Sequence, residues 1–205
     1  MKIRICFVLL AVVLATPRVS HAKVLFGQDY TWLSYLRYDY GDGDLSYLDD
    51  GNGGSVLVNF NHESDQDIQL GVDYVEADGE RLLQDVEIDI LTFKADIVHT
   101  FSETDTVKPF INIGLRVQDR DVTGPATGSD DTDVGLGLGI GVELELAPML
   151  MAKISANHDN VGDEANYFTA MLGCWFSDDL LGTIGIGREF DGDSTYLQAG
   201  VVFAY

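Results

Sequence analysis

The stretch Val134-Gly-Leu-Gly-Leu-Gly-Ile-Gly-Val-Glu-Leu-Glu-Leu146 places an apolar side chain at every second position, with Gly135, Gly137, Gly139, Gly141, Glu143 and Glu145 between them. Period two sends the two sets to opposite faces of a strand. One face is greasy and the other is small or charged. Ile111, Ile113, Leu115 and Val117 repeat this against Asn112, Gly114, Arg116 and Gln118. Leu91, Phe93, Ala95 and Ile97 repeat it against Thr92, Lys94, Asp96 and Val98. From Tyr30 onward stretches with the helical spacing of three and four are hard to find, so the chain reads as all-β.

Runs of this kind cover 30–40, 54–61, 68–75, 88–101, 108–118, 133–147, 149–158, 166–177, 181–190 and 195–205. They predict about ten strands, with eight as the alternative count. Short connections at 62–67, 102–107, 147–148 and 177–179 alternate with longer ones at 41–53, 76–87, 119–132 and 159–165. Short turns on one rim and long loops on the other predict a closed, antiparallel, up-and-down transmembrane β-barrel. Closure is required physically, because an open sheet edge in hydrocarbon leaves N–H and C=O groups unpaired at several kcal/mol each.

A soluble sandwich shares the period, since alternation alone says only that one face of each strand is dry. Charges at strand centres, Lys94, Asp96, Arg116 and Lys153, suit a polar lumen better than a water-facing surface. The aromatics fall at strand ends and suggest two girdles. Trp32, Phe60, Phe101, Trp175, Phe176, Phe203 and Tyr205 lie toward the short turns, and Tyr38, Tyr40, Tyr74, Phe168, Phe190 and Tyr196 toward the long loops.

Residues 1–22 read as a secretory signal. Lys2 and Arg4 precede the apolar run 5–15, and Ser20-His-Ala22 supplies small residues for cleavage. That run is too short for a spanning helix. The barrel domain is then 23–205. Cys6 leaves with the signal, and Cys174 alone cannot form an internal disulfide. Cys174 reads as lipid-facing packing between Leu172 and Phe176.

The whole chain has 12 Lys plus Arg against 34 Asp plus Glu, a net charge of −22. Removal of Lys2, Arg4 and Arg18 leaves nine basic residues and a net charge of −25. Such a balance repels phosphate backbones, which excludes nucleic acid as a partner.

The last residues, Tyr196-Leu-Gln-Ala-Gly-Val-Val-Phe-Ala-Tyr205, alternate Leu197, Ala199, Val201, Phe203 and Tyr205 up to a terminal aromatic. This resembles the insertion signal of Gram-negative outer-membrane β-barrel proteins, and the mature chain resembles small barrels of the OmpA and OmpX kind. Two departures stand out: Tyr205 replaces the typical terminal Phe, and ten strands exceed the eight of the smallest members. The resemblance implies location in the outer membrane, contact with its lipid and lipopolysaccharide, and both termini in the periplasm. It also implies periplasmic chaperones, and hand-over to the barrel assembly machinery through Leu197, Val201, Phe203 and Tyr205. No periplasmic peptidoglycan-binding domain is expected to follow.

Some outer-membrane barrels are enzymes, so nucleophiles and bases here are candidates for catalysis. Lipid A deacylases carry a His and a Ser two residues apart near an extracellular strand end. The matching stretch here, Asn157-His-Asp-Asn160 with Glu164 beyond, has Asn160 where the Ser should be. Ser155 lies three residues before His158, and an odd offset on one strand points them to opposite faces. Omptin-like proteolysis needs much longer loops. No enzymatic activity and no cofactor are expected.

Asp42-Gly-Asp44, Asp49-Asp50-Gly-Asn52, Asp130-Asp131-Thr-Asp133 and Asp191-Gly-Asp193 offer oxygen ligands, but none completes a calcium loop with its terminal Glu. They read as hydrated turns, with weak divalent-cation association as the binding chemistry left to them. The glycines of 133–147 read as room for large lumen neighbours such as Tyr167, Met171 and Trp175; the alternative is that they widen a water path.

Arg37, Lys94, Asp96, Arg116, Glu143, Glu145, Lys153 and Glu189 form the expected lumen charge network. Paired, they make a polar, side-chain-filled plug in a structural or surface-interaction protein with acidic extracellular loops. Hydrated, they line a narrow channel for small solutes or cations.

Overall fold

The computed structural model describes residues 24–40, 48–63, 65–81, 84–101, 106–124, 129–162, 164–190 and 194–205. The expected signal at 1–22 and Asp42, Asp44, Asp191 and Asp193 lie outside them, as do the side chains of Asp49 and Asp130. Ten strands follow in order: β1 (Tyr30–Asp39), β2 (Leu48–Glu63), β3 (Gln66–Arg81), β4 (Gln84–Thr100), β5 (Val107–Thr123), β6 (Ser129–Ala147), β7 (Leu150–Asn160), β8 (Glu164–Ser177), β9 (Leu180–Glu189) and β10 (Thr195–Ala204). Each pairs antiparallel with its chain neighbours, and β1 closes on β10 from Tyr30↔Ala204 to Asp39↔Thr195. The strand count is ten, not eight.

The faces are inside-out relative to a soluble barrel. Ile97, Ile113, Leu115, Leu138, Ile140 and Ile184 stand exposed on the outer face, while Arg116, Asp96, Glu143, Asn59, Gln69 and Thr92 are buried within. Water gains nothing from such an apolar exterior, whereas hydrocarbon matches it. The barrel reading therefore prevails over the sandwich.

Strand length corrects one expectation. About 9–11 tilted residues cross a bilayer, and β1, β9 and β10 have 10 each. Strands β2 to β6 run from 16 to 19 residues. They extend well past that span on the side expected to carry long loops. Segments 76–87 and 119–132 are thus mostly ladder: Arg81 pairs with Gln84, and Val122 with Ser129. The acidic alternation there looks like loop because the outer face, apolar within the bilayer, is acidic and meets water. A small apolar cluster of Leu48, Ala77, Val86 and Ile88, packed by Tyr40, Ile90 and Val122, fills the inside of this extension.

At the opposite rim the turns are tight, including Pro148-Met149 and Asp178-Asp179. Two apolar clusters fill the lumen there. Tyr30, Met151, Met171, Trp175, Leu181, Val202 and Ala204 form one with Leu25, and Val98 and Phe110 form the other with Phe26.

Candidate functional site

A cavity of about 390 Å³ runs through the lumen, from Phe26 at the short-turn end past Lys94 and Arg116 to Tyr40 and Arg120 at the other. Its wall carries the charge network. Arg116, only 4% exposed, donates from Nη1 to Asp96 Oδ1 at 2.9 Å and from Nε to Asp159 Oδ1 at 3.0 Å. Tyr167 donates to the other oxygen of Asp159 at 2.8 Å. Lys94 pairs with Asp73, which also accepts from Ser55 at 2.6 Å.

The reach of Arg116 depends on the glycine strand. Arg116 sits opposite Gly135 on β6, and Asp159 sits opposite Gly137 on the far side of β6. The guanidinium therefore crosses β6 over Gly137. A Cβ at that position would lie 2.3 Å from Arg116 Nη2 and 2.6 Å from Asp159 Oδ1. At Gly139 it would meet the Oδ1 atoms of Asn112 and Asn157, and at Gly141 the ring of Phe110. The glycines do make room. The neighbours they admit come from the adjacent strands β5 and β7, not Tyr167, Met171 and Trp175 of β8.

A second row of charge lies near the short-turn rim. Glu143, fully buried, stands in register between Lys108 and Lys153. Its Oε1 lies 3.5 Å from Lys153 Nζ. Its Oε2 accepts the backbone N–H groups of Leu25 at 2.8 Å and Phe26 at 3.0 Å. Asp67 accepts from the amide of Gly27 at 3.0 Å, and Lys108 donates to the carbonyl of Phe26 at 2.6 Å. The Phe26 ring meets Phe110 edge-on at 4.7 Å, and the Lys153 ammonium lies 4.3 Å from its centroid. Residues 24–29 thus sit inside the barrel as a stopper. The positive φ of Gly27, 85°, turns the chain toward β1.

Among the sequence-predicted site residues, Lys94, Asp96, Arg116, Glu143, Lys153 and Glu189 face the lumen, and all but Glu143 line the cavity. Glu145 lies half-buried on the same face of β6 at the short-turn rim. Arg37 requires correction. Its side chain is 58% exposed on the outer face and pairs with Asp50 at 2.7 Å. On β1 both faces carry large apolar groups, Trp32, Leu36 and Tyr38 inward and Leu33 and Tyr35 outward. Alternation therefore could not tell inside from outside. Asp73, Asp159, Asp67 and the stopper escaped the sequence reading. The apolar Val24-Leu-Phe26 just before the first strand was the available signal.

The girdles need the same correction. Phe60, Phe101, Phe203 and Tyr205 at one rim, and Tyr74, Phe168 and Phe190 at the other, are exposed on the outside. Trp175 is buried in the lumen core, and Trp32, Tyr38, Tyr40 and Tyr196 line the cavity, with Tyr38 and Tyr196 rings 5.3 Å apart.

His158 contacts Asn166 Oδ1 at 3.0 Å, while Ser155 lines the cavity and bonds Asn157 at 3.0 Å. The two side chains stand on opposite faces of β7, so no nucleophile–base pair forms between them. Among the described residues, no three His, Cys, Asp or Glu side chains are grouped to hold a metal ion.

A family model described as an outer membrane protein beta-barrel domain matches residues 6–176. Among solved structures, the chain is similar to the translocator domain of the autotransporter NalP from Neisseria meningitidis, at 12% identity and a TM-score of 0.53, over 88% of this chain and 90% of that one. It is also similar to the outer membrane protein OprG from Pseudomonas aeruginosa, at 11% identity and a TM-score of 0.50, over 92% and 99%. These likenesses establish shared fold alone. No curated protein matches the sequence.

Proposed function

Because the chain belongs to the outer-membrane β-barrel domain family and so resides in the outer membrane, in contact with its lipid and lipopolysaccharide, we propose that it works there as a closed barrel: a rigid anchor that displays an acidic extension outside the cell. The observation that carries this is the seating of residues 24–29 between the two walls of the lumen, Leu25 in one apolar cluster and Phe26 in the other. The stopper sits at the short-turn rim, which faces the periplasm in such barrels, and in this reading it closes that mouth. The projecting strands β3 to β5 carry Glu76, Asp78, Glu87 and Asp119 on their outer faces, a surface suited to cationic partners and to weak divalent-cation association. Purified wild-type protein in planar bilayers is expected to give no conductance steps. Steady conductance from the first insertion overturns the proposal and favours the second reading, a narrow channel, which the continuous cavity supports.

Residues 1–22 are proposed to direct export, with periplasmic chaperones carrying the chain onward. Leu197, Val201, Phe203 and Tyr205 are proposed as the strand end read by the assembly machinery. Phe203 pairs with Thr31 and Leu180, so its loss also frays the closing seam. Deleting 203–205 should abolish accumulation of folded protein in the outer membrane, and normal levels would refute the assignment.

A further inference from the structure

We propose that residues 24–29 are a releasable stopper: an autoinhibitory segment that leaves its seat while the barrel stays folded, opening the lumen to ions and small solutes at the periplasmic rim. The inference rests on the closed-barrel reading and adds how closure is held. Three observations separate the stopper from the wall around it.

The first is the kind of bond. Every strand is joined to both of its neighbours by backbone ladder bonds, whereas among the described residues the stopper is held mainly by side chains. Glu143 and Asp67 take the amides of Leu25, Phe26 and Gly27, and Lys108 and Asn59 donate to the carbonyls of Phe26 and Gln28. Only at Asp29, where the segment meets β1, does its carbonyl accept a backbone bond, from Tyr205. Segments without ladder bonds belong to the low-stability end of a fold and open locally.

The second observation is an incompletely satisfied seat. Among the described residues, Asn59 Oδ1, Asp67 Oδ1 and Glu143 Oε1 are buried with no protein donor in full hydrogen-bond geometry. The last has only the Lys153 ammonium at 3.5 Å, at the edge of any useful geometry. Buried acceptors left unpaired oppose the closed state, and water entering on release would satisfy them.

The third is position. Leu25 belongs to the apolar cluster built from β1 and β7 to β10, and Phe26 to the cluster on β4 and β5. The stopper bridges the two walls, so its departure separates them at the floor of a cavity that extends as far as Tyr40 and Arg120.

The test compares two buried thiols in the full chain with Cys6→Ala and Cys174→Ala as background. Leu25→Cys reports on the stopper, and Leu181→Cys, in the same apolar cluster, reports on the wall. With folded barrels verified by heat-modifiable gel mobility, a membrane-impermeant maleimide should label position 25 at least roughly tenfold faster than position 181, since local release is less costly than global unfolding. Equal, slow labelling at both positions overturns the proposal. Planar bilayers supply the second arm. Glu143→Ala removes the acceptor for two stopper amides and should raise open probability by roughly tenfold or more, and deletion of 24–28 should leave the pore open. Folded but silent variants beside a silent wild type overturn the stopper and leave the closed barrel standing. A wild type that conducts steadily overturns the closed barrel itself.

Discussion

Arg116 shows how much one side chain depends on a neighbour with none. Its guanidinium joins Asp96 on β4 to Asp159 on β7 by passing over Gly137. Replacing one partner of such a buried pair leaves the others charged and unmatched, commonly at about 3–5 kcal/mol. Arg116→Ala is therefore expected to lower the stability of the barrel by an amount of that order in urea titrations in detergent. No change would mean that Asp96 and Asp159 are hydrated, as in an open pore. Gly137→Ala attacks the same bridge from the other side, and forcing a methyl into the path should cost about 1–3 kcal/mol. Gly71→Ala is the matched control, because its Cβ would meet Val56 O at 3.5 Å and Lys94 Cβ at 3.7 Å, ordinary contacts. Equal effects at the two glycines would dissolve the link between Gly137 and Arg116. At this scale the sequence revealed that Lys94, Asp96, Arg116, Glu143 and Lys153 point inward, because each interrupts an apolar alternation. It did not reveal that Arg116 meets Asp159 or that Lys94 meets Asp73. Those partners follow from strand register, which period two leaves undetermined.

Strands were legible where their two faces differ chemically. On β6 the apolar residues from Val134 to Leu146 alternate with Gly and Glu, and the outer set is exposed as that pattern requires. On β1, where Trp32 and Leu33 are equally greasy, alternation does not tell the faces apart, and Arg37, expected inside, stands outside. The outer ends of β3 and β4 are illegible in the sequence for a different reason. Beyond the bilayer the outer face is wet, so Glu76, Asp78, Glu80, Asp85 and Glu87 replace the apolar outer set while Ala77, Val86 and Ile88 stay buried inside and the ladder bonds continue. Strand β6 therefore offers the clean test of orientation. Leu138 is outward and 47% exposed, and Arg near the midplane of a lipid-facing strand costs roughly 2–4 kcal/mol. Leu138→Arg should destabilise folding into lipid vesicles by that amount. Unchanged folding would mean that residue 138 does not meet hydrocarbon.

Across the whole molecule the decisive quantity is charge, because the chain is strongly acidic at −22 and much of that charge is displayed on one projection. Glu76, Asp78, Asp85, Glu87, Asp119, Asp121 and Asp131 lie on neighbouring strands β3 to β6, and β-pairing holds such strands about 5 Å apart. Their mutual repulsion opposes the compact state more than the unfolded chain, in which the same charges are dispersed. Salt screens it: the Debye length falls from about 30 Å at 0.01 M to about 10 Å at 0.1 M. The attractive pairs are affected less where they are buried, as at Arg116, and contribute little where exposed, as at Arg37 and Asp50. Raising NaCl from 0.01 to 0.2 M in a nonionic detergent should therefore move the urea midpoint upward. Neutralising part of the projection, by Glu76→Gln with Asp78→Asn and Glu87→Gln, should raise the low-salt midpoint and flatten the salt dependence. A midpoint that falls with salt would mean that attraction, not repulsion, dominates the electrostatics of the fold, and the acidic projection would then be stabilised by partners among its own strands.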